Sequence, residues 1–321
     1  MESTDKPPAE TVQPQPHVLA NRDFRLFVAM RVPAVLATQI QNVAVGWTVY
    51  DVTHRALDLG FVGLAQFVPM FGLALVAGQV ADRFDRRIVL AACLGVQLLC
   101  LVSLFALTLG GLHRVWPIYA VLAVYGAARS FSGPASASLL PTLVSSEALG
   151  NAFAWNSSTF QAATIGGPAL GGLLYAFGPH TAFAVAALMA ALAMVAILAV
   201  RPRPVAAERR AVSWSTLMAG IRFIRAHQDI LGAISLDLFA VLLGGATALR
   251  PIYARDILDI GPTGLGVLRS APAAGATVVG LVLAHRSLGR HAGRTMFVAV
   301  ALYGLGTIVF GVSHDFALSD R

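Results

Sequence analysis

Residues 78–87 read Gly-Gln-Val-Ala-Asp-Arg-Phe-Asp-Arg-Arg, a short charged stretch set between two long apolar runs. The flanking runs, near 59–80 and 88–110, are each long enough to cross ~30 Å of hydrocarbon, which takes ~20 apolar residues. The stretch between them then has to be a tight turn at a membrane face. Gly78 permits close helix approach at the membrane edge. Asp82 can act on a neighbouring helix N-terminus, where a carboxylate is favoured. Arg83, Arg86 and Arg87 hold the turn on the cytoplasmic side, because basic loops stay inside.

Seven further apolar runs lie outward from this turn, near 25–50, 115–140, 152–177, 181–200, 230–252, 262–284 and 295–313. The chain is therefore read as an all-α integral membrane protein of about nine transmembrane helices. Composition agrees: 57% of the residues are hydrophobic and 12% charged, about half the charged fraction of a soluble domain. A soluble fold of 321 residues could not cover so much apolar surface.

The net charge of +7 does not point to nucleic acid, because the basic residues follow the membrane topology. With the N-terminus in the cytoplasm, the inner side holds Lys6, Arg22, Arg25, Arg83, Arg86, Arg87, Arg201, Arg203, Arg209, Arg210, Arg222, Arg225, Arg286, Arg290 and Arg294. The outer side holds only Arg55, Arg114, Arg255 and Arg321. Residues 1–20 are rich in Pro, Gln, Glu and Thr and are expected to be a disordered cytoplasmic tail rather than a signal peptide.

The chain divides after the sixth run. Residues 21–200 make a complete six-helix N-terminal bundle, 201–229 a cytoplasmic linker, and 230–321 an incomplete C-terminal bundle. The linker opens Arg-Pro-Arg-Pro, and Trp214, Leu217, Met218 and Ile221 then recur at helical spacing, which predicts an amphipathic interfacial helix. The remainder repeats part of the first half. A shift of 203 positions carries Gly63 onto Gly266, Pro69 onto Pro272, Gly72 onto Gly275, Ala81 onto Ala284, Arg83 onto Arg286 and Arg87 onto Arg290.

Residues 78–87 resemble the major facilitator signature between helices two and three: a Gly, then Asp-Arg, then two basic residues. Asp85 stands where that pattern usually has Gly. Arg129-Ser-Phe-Ser-Gly133-Pro134 resembles a second motif of the superfamily. Gly167-Pro168-Ala-Leu-Gly171-Gly172 looks like its antiporter motif. Ser132–Ser136, Leu139–Leu143, Asn151–Ser157, Leu236–Ala240 and Leu249–Asp256 are similar to the enterobactin-exporter-like branch.

The resemblance covers about 20–313 and implies a major facilitator fold that exports a siderophore or drug-like small molecule by alternating access. It implies proton antiport and a bacterial cytoplasmic membrane. Residues Gly78, Asp82, Arg83, Arg86 and Arg87 would form a cytoplasmic gate motif, and Gly167, Pro168, Gly171 and Gly172 a close-packing face with a kink at proline. The superfamily is built from two parallel six-helix repeats. Three of twelve spans are then missing, so the alternative is an inactive or truncated family member, and this chain by itself is expected not to transport.

Polar residues inside the apolar runs are the cavity candidates. Gln39 and Asn42 are three apart in the first run and can share a face. Gln66 in the second run has Arg269 as its repeat mate in the eighth, and equivalent positions of two repeats would face one cavity. Arg129 is read either as a substrate or proton-coupling residue or as an arginine satisfied by packing. Asp237 is the one acid well inside a predicted span. It either carries the proton or pairs structurally with an arginine. Arg31 and Arg250 lie near run ends and are expected to snorkel.

Enzyme chemistry and cofactors are not expected. The sequence has no Walker phosphate loop, no zinc-spaced histidines and no Gly-x-Ser-x-Gly elbow. Cys93 and Cys100 lie ~10 Å apart along one helix, too far for a disulfide, and read as packing residues. The expected partners are a small-molecule substrate, protons and the lipid bilayer.

Overall fold

A computed structural model describes residues 18–111, 114–201, 250–284 and 292–312, with isolated positions between 222 and 236. Every regular element described is a helix. The elements are α1 (Arg22–Thr53), α2 (Ala56–Gly72), α3 (Ala74–Arg83), α4 (Arg86–Leu109), α5 (Trp116–Leu143), α6 (Leu149–Ala176), α7 (Pro179–Ala199), α8 (Gly261–Ala284) and α9 (Ala292–Val312). One helical turn, Arg250–Ile252, and a π turn, Tyr253–Ile257, precede α8. Most of the predicted seventh span and of the predicted linker helix, and Asp237, lie outside the described residues.

The helix ends follow local chemistry. Asn21 caps α1: its Oδ1 accepts from the N–H of Asp23 at 2.9 Å and of Phe24 at 3.4 Å. Its amide also donates to Leu143 O at 2.7 Å, tying the start of α1 to the end of α5. Residues Val18–Ala20 form a 3-10 turn, and Val18 is buried. The capped start of α1 draws this turn onto the bundle. Residues 1–17 lie outside the description. α1 ends at His54, whose left-handed φ of 50° stops the helix.

The second predicted span is not one straight helix. α2 and α3 meet at Leu73 with a bend of 50°. Pro69 in the last turn of α2 lacks the N–H that would bond to Ala65, and Gly72 follows it, so the break sits where the helix ladder is weakest. α4 starts at Asp85, whose Oδ1 accepts from Arg87 N at 2.9 Å. The Asp at this position therefore serves as an N-cap rather than distorting the turn. Asp85→Ala is expected to destabilise the protein by about 1 kcal/mol and Asp85→Gly by only a few tenths, measured as thermal stability in detergent; equal losses would contradict the cap.

α1, α4 and α7 are each long and apolar enough to cross a bilayer, and the α2–α3 pair makes a fourth such span if counted together. α5 and α6 have 28 residues each, or ~42 Å of helix, but carry Ser, Thr, Asn and Gln among their apolar residues. α1 is the centre of the bundle. It packs on α6 and α7, with α2 beside it, while α4 joins α5 to α7 and α5 holds α2 and α3. Val43, Ala44 and Val45 have no exposed surface. Leu99 and Val195, on α4 and α7, are 68% and 66% exposed. Apolar residues facing out and polar ones facing in is the arrangement expected when lipid is the solvent.

With α2 and α3 counted as one bent span, the helices from α1 to α7 alternate in direction. One end of the bundle, the near end, carries the start of α1, the α3–α4 turn and the end of α7. The far end carries the end of α1, the start of α2 and the start of α8.

Candidate central cavity

Two cavities lie along α1. The first has a volume of about 390 Å³ and is walled by α1, α4, α5 and α6. Arg31, Thr38, Gln39, Gln97, Arg129, Ser132, Ser136, Phe160 and Thr164 are among the residues lining it. The second, about 350 Å³, lies further toward the far end and is lined by Gln39, Asn42, Gly46, Leu59, Val62, Gly63, Gln66, Pro168, Arg250 and Arg269. Gln39 borders both. Each has the size of a pocket for a small organic molecule.

The cavity candidates read from the sequence come together. Gln39, Asn42, Gln66 and Arg269 line the second cavity. Arg129 lines the first, with Gln39. The repeat mates Gln66 and Arg269 thus reach one space from α2 and α8. Asp237 lies outside the described residues.

Two arginines differ from expectation. Arg31 does not run out to the membrane edge but lies 5.1 Å over the Phe160 ring. Its Nη1 donates to Ser136 Oγ at 3.5 Å, while its Nε is buried without a hydrogen-bond partner. Arg250 lines the second cavity and is half-buried there. Both positions face the bundle interior: α1 turns Arg31 toward the first cavity and the 250–252 turn places Arg250 at the second.

Other site residues had a signal that was passed over. Gln97 is buried in the apolar run of α4 and lines the first cavity. Gln161 on α6 donates to Thr277 Oγ1 at 2.8 Å and to Ala273 O at 3.0 Å, linking α6 to α8. Both are intramembrane amides, found by the rule that found Gln66.

The Gly167–Gly172 run works as a double seam. A Cβ on Gly167 would fall 2.6 Å from Gln39 Cβ, and one on Gly171 3.0 Å from Ile40 Cα, so these two press on α1. Gly172 presses on Pro262 and Gly266 of α8, and a Cβ on Gly266 would fall 2.5 Å from Pro168 O. Gly126 likewise brings α5 onto the Gln66 backbone of α2. Gly78, expected to permit close approach, meets nothing within 4 Å among the described residues.

In the rest of the 78–87 turn, Arg87 donates to Leu198 O in the last turn of α7, where a cation is favoured. Asp82 and Arg83 are exposed, and the side chains of Asp82, Arg83 and Arg86 make no hydrogen bond or ion pair among the described residues.

The far end carries a clamp that sequence reasoning did not anticipate. Tyr50 donates to Asp256, and Arg255 bonds Asp51, so the end of α1 is held to the π turn before α8. Thr48 donates to Tyr175 OH at 3.1 Å just below, tying α1 to α6. Tyr119 donates to Asp58 at 3.0 Å, and Arg55 lies 3.8 Å from that carboxylate. Among the described residues, hydrogen bonds between α1–α7 and the segments after 250 reach from this clamp no nearer to the near end than Gln161–Thr277. At the far end, clamp and seam together join α1 and α6 to the described residues from 250 onward.

Known proteins share this architecture. The chain is 26% identical over 298 residues to the enterobactin exporter EntS of Shigella dysenteriae serotype 1, covering 88% of this chain and 70% of the relative. The same identity and coverage relate it to EntS of Escherichia coli O139:H28. Among solved structures, a bacterial homologue of the lysosomal transporter Spinster aligns with a TM-score of 0.64 at 11% identity, over 86% of this chain and 64% of that one. A bacterial homologue of the iron transporter ferroportin aligns at 0.56 and 15%, over 91% and 74%. A family model described as transmembrane secretion effector matches residues 16–318. The chain therefore belongs to this transmembrane secretion effector family, a branch of the major facilitator superfamily of membrane transporters.

Proposed function

We propose, against the expectation that this chain by itself does not transport, that it carries a small organic molecule out of the cell by alternating access around the two cavities, driven by proton antiport. The observation that carries this reading is the meeting of Gln66 and Arg269 in one cavity. They are 203 positions apart, the spacing of the internal repeat (269 − 66). A cavity shared by two repeats is where a rocking transporter holds its substrate. In this reading residues 21–200 form one bundle, 201–229 the linker, and 230–321 belong to the second bundle. Basic loops set the near end in the cytoplasm, within a bacterial cytoplasmic membrane. The far-end clamp and seam then favour a state open to the cytoplasm. The EntS relatives support a siderophore-like or drug-like cargo.

One observation favours a second reading, a chain that binds but does not cycle. Gly266 is packed tightly on α6, yet its repeat mate Gly63 has nothing within 4 Å among the described residues. The seam formed by one repeat has no described counterpart in the other. Efflux from proteoliposomes decides between them. Under an inward-acidic gradient, with the cytoplasmic face outward, the proposed function predicts uptake of a fluorescent efflux dye that stops when the gradient is collapsed. Asp237→Asn should remove the pH-driven component and leave expression intact. Binding without gradient-dependent movement supports the second reading, and unchanged pH dependence in Asp237→Asn excludes that residue as the proton carrier.

A further inference from the structure

Two arginines face the second cavity, and among the described residues its wall offers them no anion. The cavity's polar lining is otherwise neutral: Gln39, Asn42 and Gln66. Among the described residues no carboxylate lines either cavity. The acids of the far end are engaged elsewhere, Asp51 with Arg255, Asp58 with Tyr119 and Arg55, and Asp256 with Tyr50. The first cavity repeats the pattern with Arg31 and Arg129.

A guanidinium withdrawn from water needs an anion or dense hydrogen bonding to offset the loss of hydration. It also has the fork geometry to hold a carboxylate with two parallel bonds. Gly46 makes room for one of these forks. A Cβ there would fall 3.0 Å from Arg269 Nη2, so the absence of a side chain lets the guanidinium lie against α1.

We infer that the transported molecule is an organic anion, whose carboxylate or comparable oxyanion is held between Arg250 and Arg269. The inference rests on the proposed function in taking this cavity as the substrate site. It adds the charge of the substrate, which neither the family nor the relatives' names assign. The adjoining cavity, about 390 Å³, leaves room for the organic part of such a molecule.

The test is binding rather than transport, so that it can fail independently. Radiolabelled benzoate and its neutral isostere benzamide are bound to the detergent-purified chain and read by scintillation proximity. Benzoate is expected to bind at least tenfold more tightly than benzamide. Arg269→Gln and Arg250→Gln should each remove most of that preference, with elution as a single folded species checked by gel filtration. Gly46→Ala keeps every charge and only displaces the Arg269 fork, so it should weaken benzoate and leave benzamide unchanged. Equal binding of the two probes, or a preference indifferent to all three variants, would overturn the inference. So would benzoate binding that emerges only in Asp237→Asn, which would make an internal carboxylate the arginines' partner. Gradient-driven movement of a neutral dye, unaltered in Arg269→Gln, would overturn the anion assignment while leaving the transport reading in place.

Discussion

Removing the Tyr50–Asp256 hydrogen bond is expected to open the far end of the bundle. Tyr50→Phe deletes the bond and Asp256→Asn leaves it a neutral acceptor; the phenol is buried but the carboxylate is exposed, so the bond is worth about 1–1.5 kcal/mol. Every ~1.4 kcal/mol is a factor of ten in an equilibrium, so the population open at the far end should rise about five- to tenfold. The neighbouring Asp51–Arg255 pair contributes less. The Asp51 side chain is 52% exposed, and an ion pair in that setting is worth ~0–1 kcal/mol. Spin labels introduced by Ala56→Cys and Asp259→Cys, both at exposed far-end positions, report the change as a second, longer distance. Asp256→Asn should populate it strongly and Asp51→Asn only slightly. The reverse order would show that the exposed ion pair, not the hydrogen bond, closes the end.

The second large effect concerns the α6–α8 seam. Gly172 and Gly266 face backbone rather than flexible side-chain ends, so an added methyl cannot be absorbed by a rotamer change. Gly172→Ala or Gly266→Ala should destabilise the protein by ~1–3 kcal/mol through overpacking, read as a lowered melting temperature in detergent. Gly60→Ala and Gly63→Ala provide the contrast, since nothing lies within 4 Å of either position among the described residues. Those two should be neutral or slightly stabilising, because alanine is favoured over glycine by ~1 kcal/mol in a helix. Equal losses at all four positions would mean that the seam is not what limits stability.

The sequence disclosed more of the cavity than of its closure. Gln39, Asn42, Gln66 and Arg269 stood out because a polar group in an apolar run is costly unless it faces other polar groups. The repeat then supplied the pairing of Gln66 with Arg269. The Gly167–Gly172 run was legible as a packing face, but its division between α1 and α8 depends on helix rotation, which periodicity does not determine. Arg31 and Arg250 were misjudged for that reason. Distance from a span end suggested snorkelling, whereas the direction of the side chain decides it.

The clamp was hidden for a different reason. Tyr50, Asp51, Arg255 and Asp256 are ordinary residues for a helix end at an interface, and their pairing spans about 200 positions (255 − 51 = 204). The bend at Leu73 was also invisible in composition, since α2 and α3 together read as one apolar run.

The central claim is that one cavity is reached from either side of the membrane in turn. Accessibility of Gln66→Cys tests it directly, in a Cys93→Ala, Cys100→Ala background, with a membrane-impermeant maleimide added to one face at a time. With the clamp intact, labelling from the near-end face should exceed labelling from the far-end face by at least tenfold, and Asp256→Asn should raise the far-end rate while lowering the near-end one. Equal labelling from both faces, or a ratio that Asp256→Asn leaves unchanged, would contradict the account.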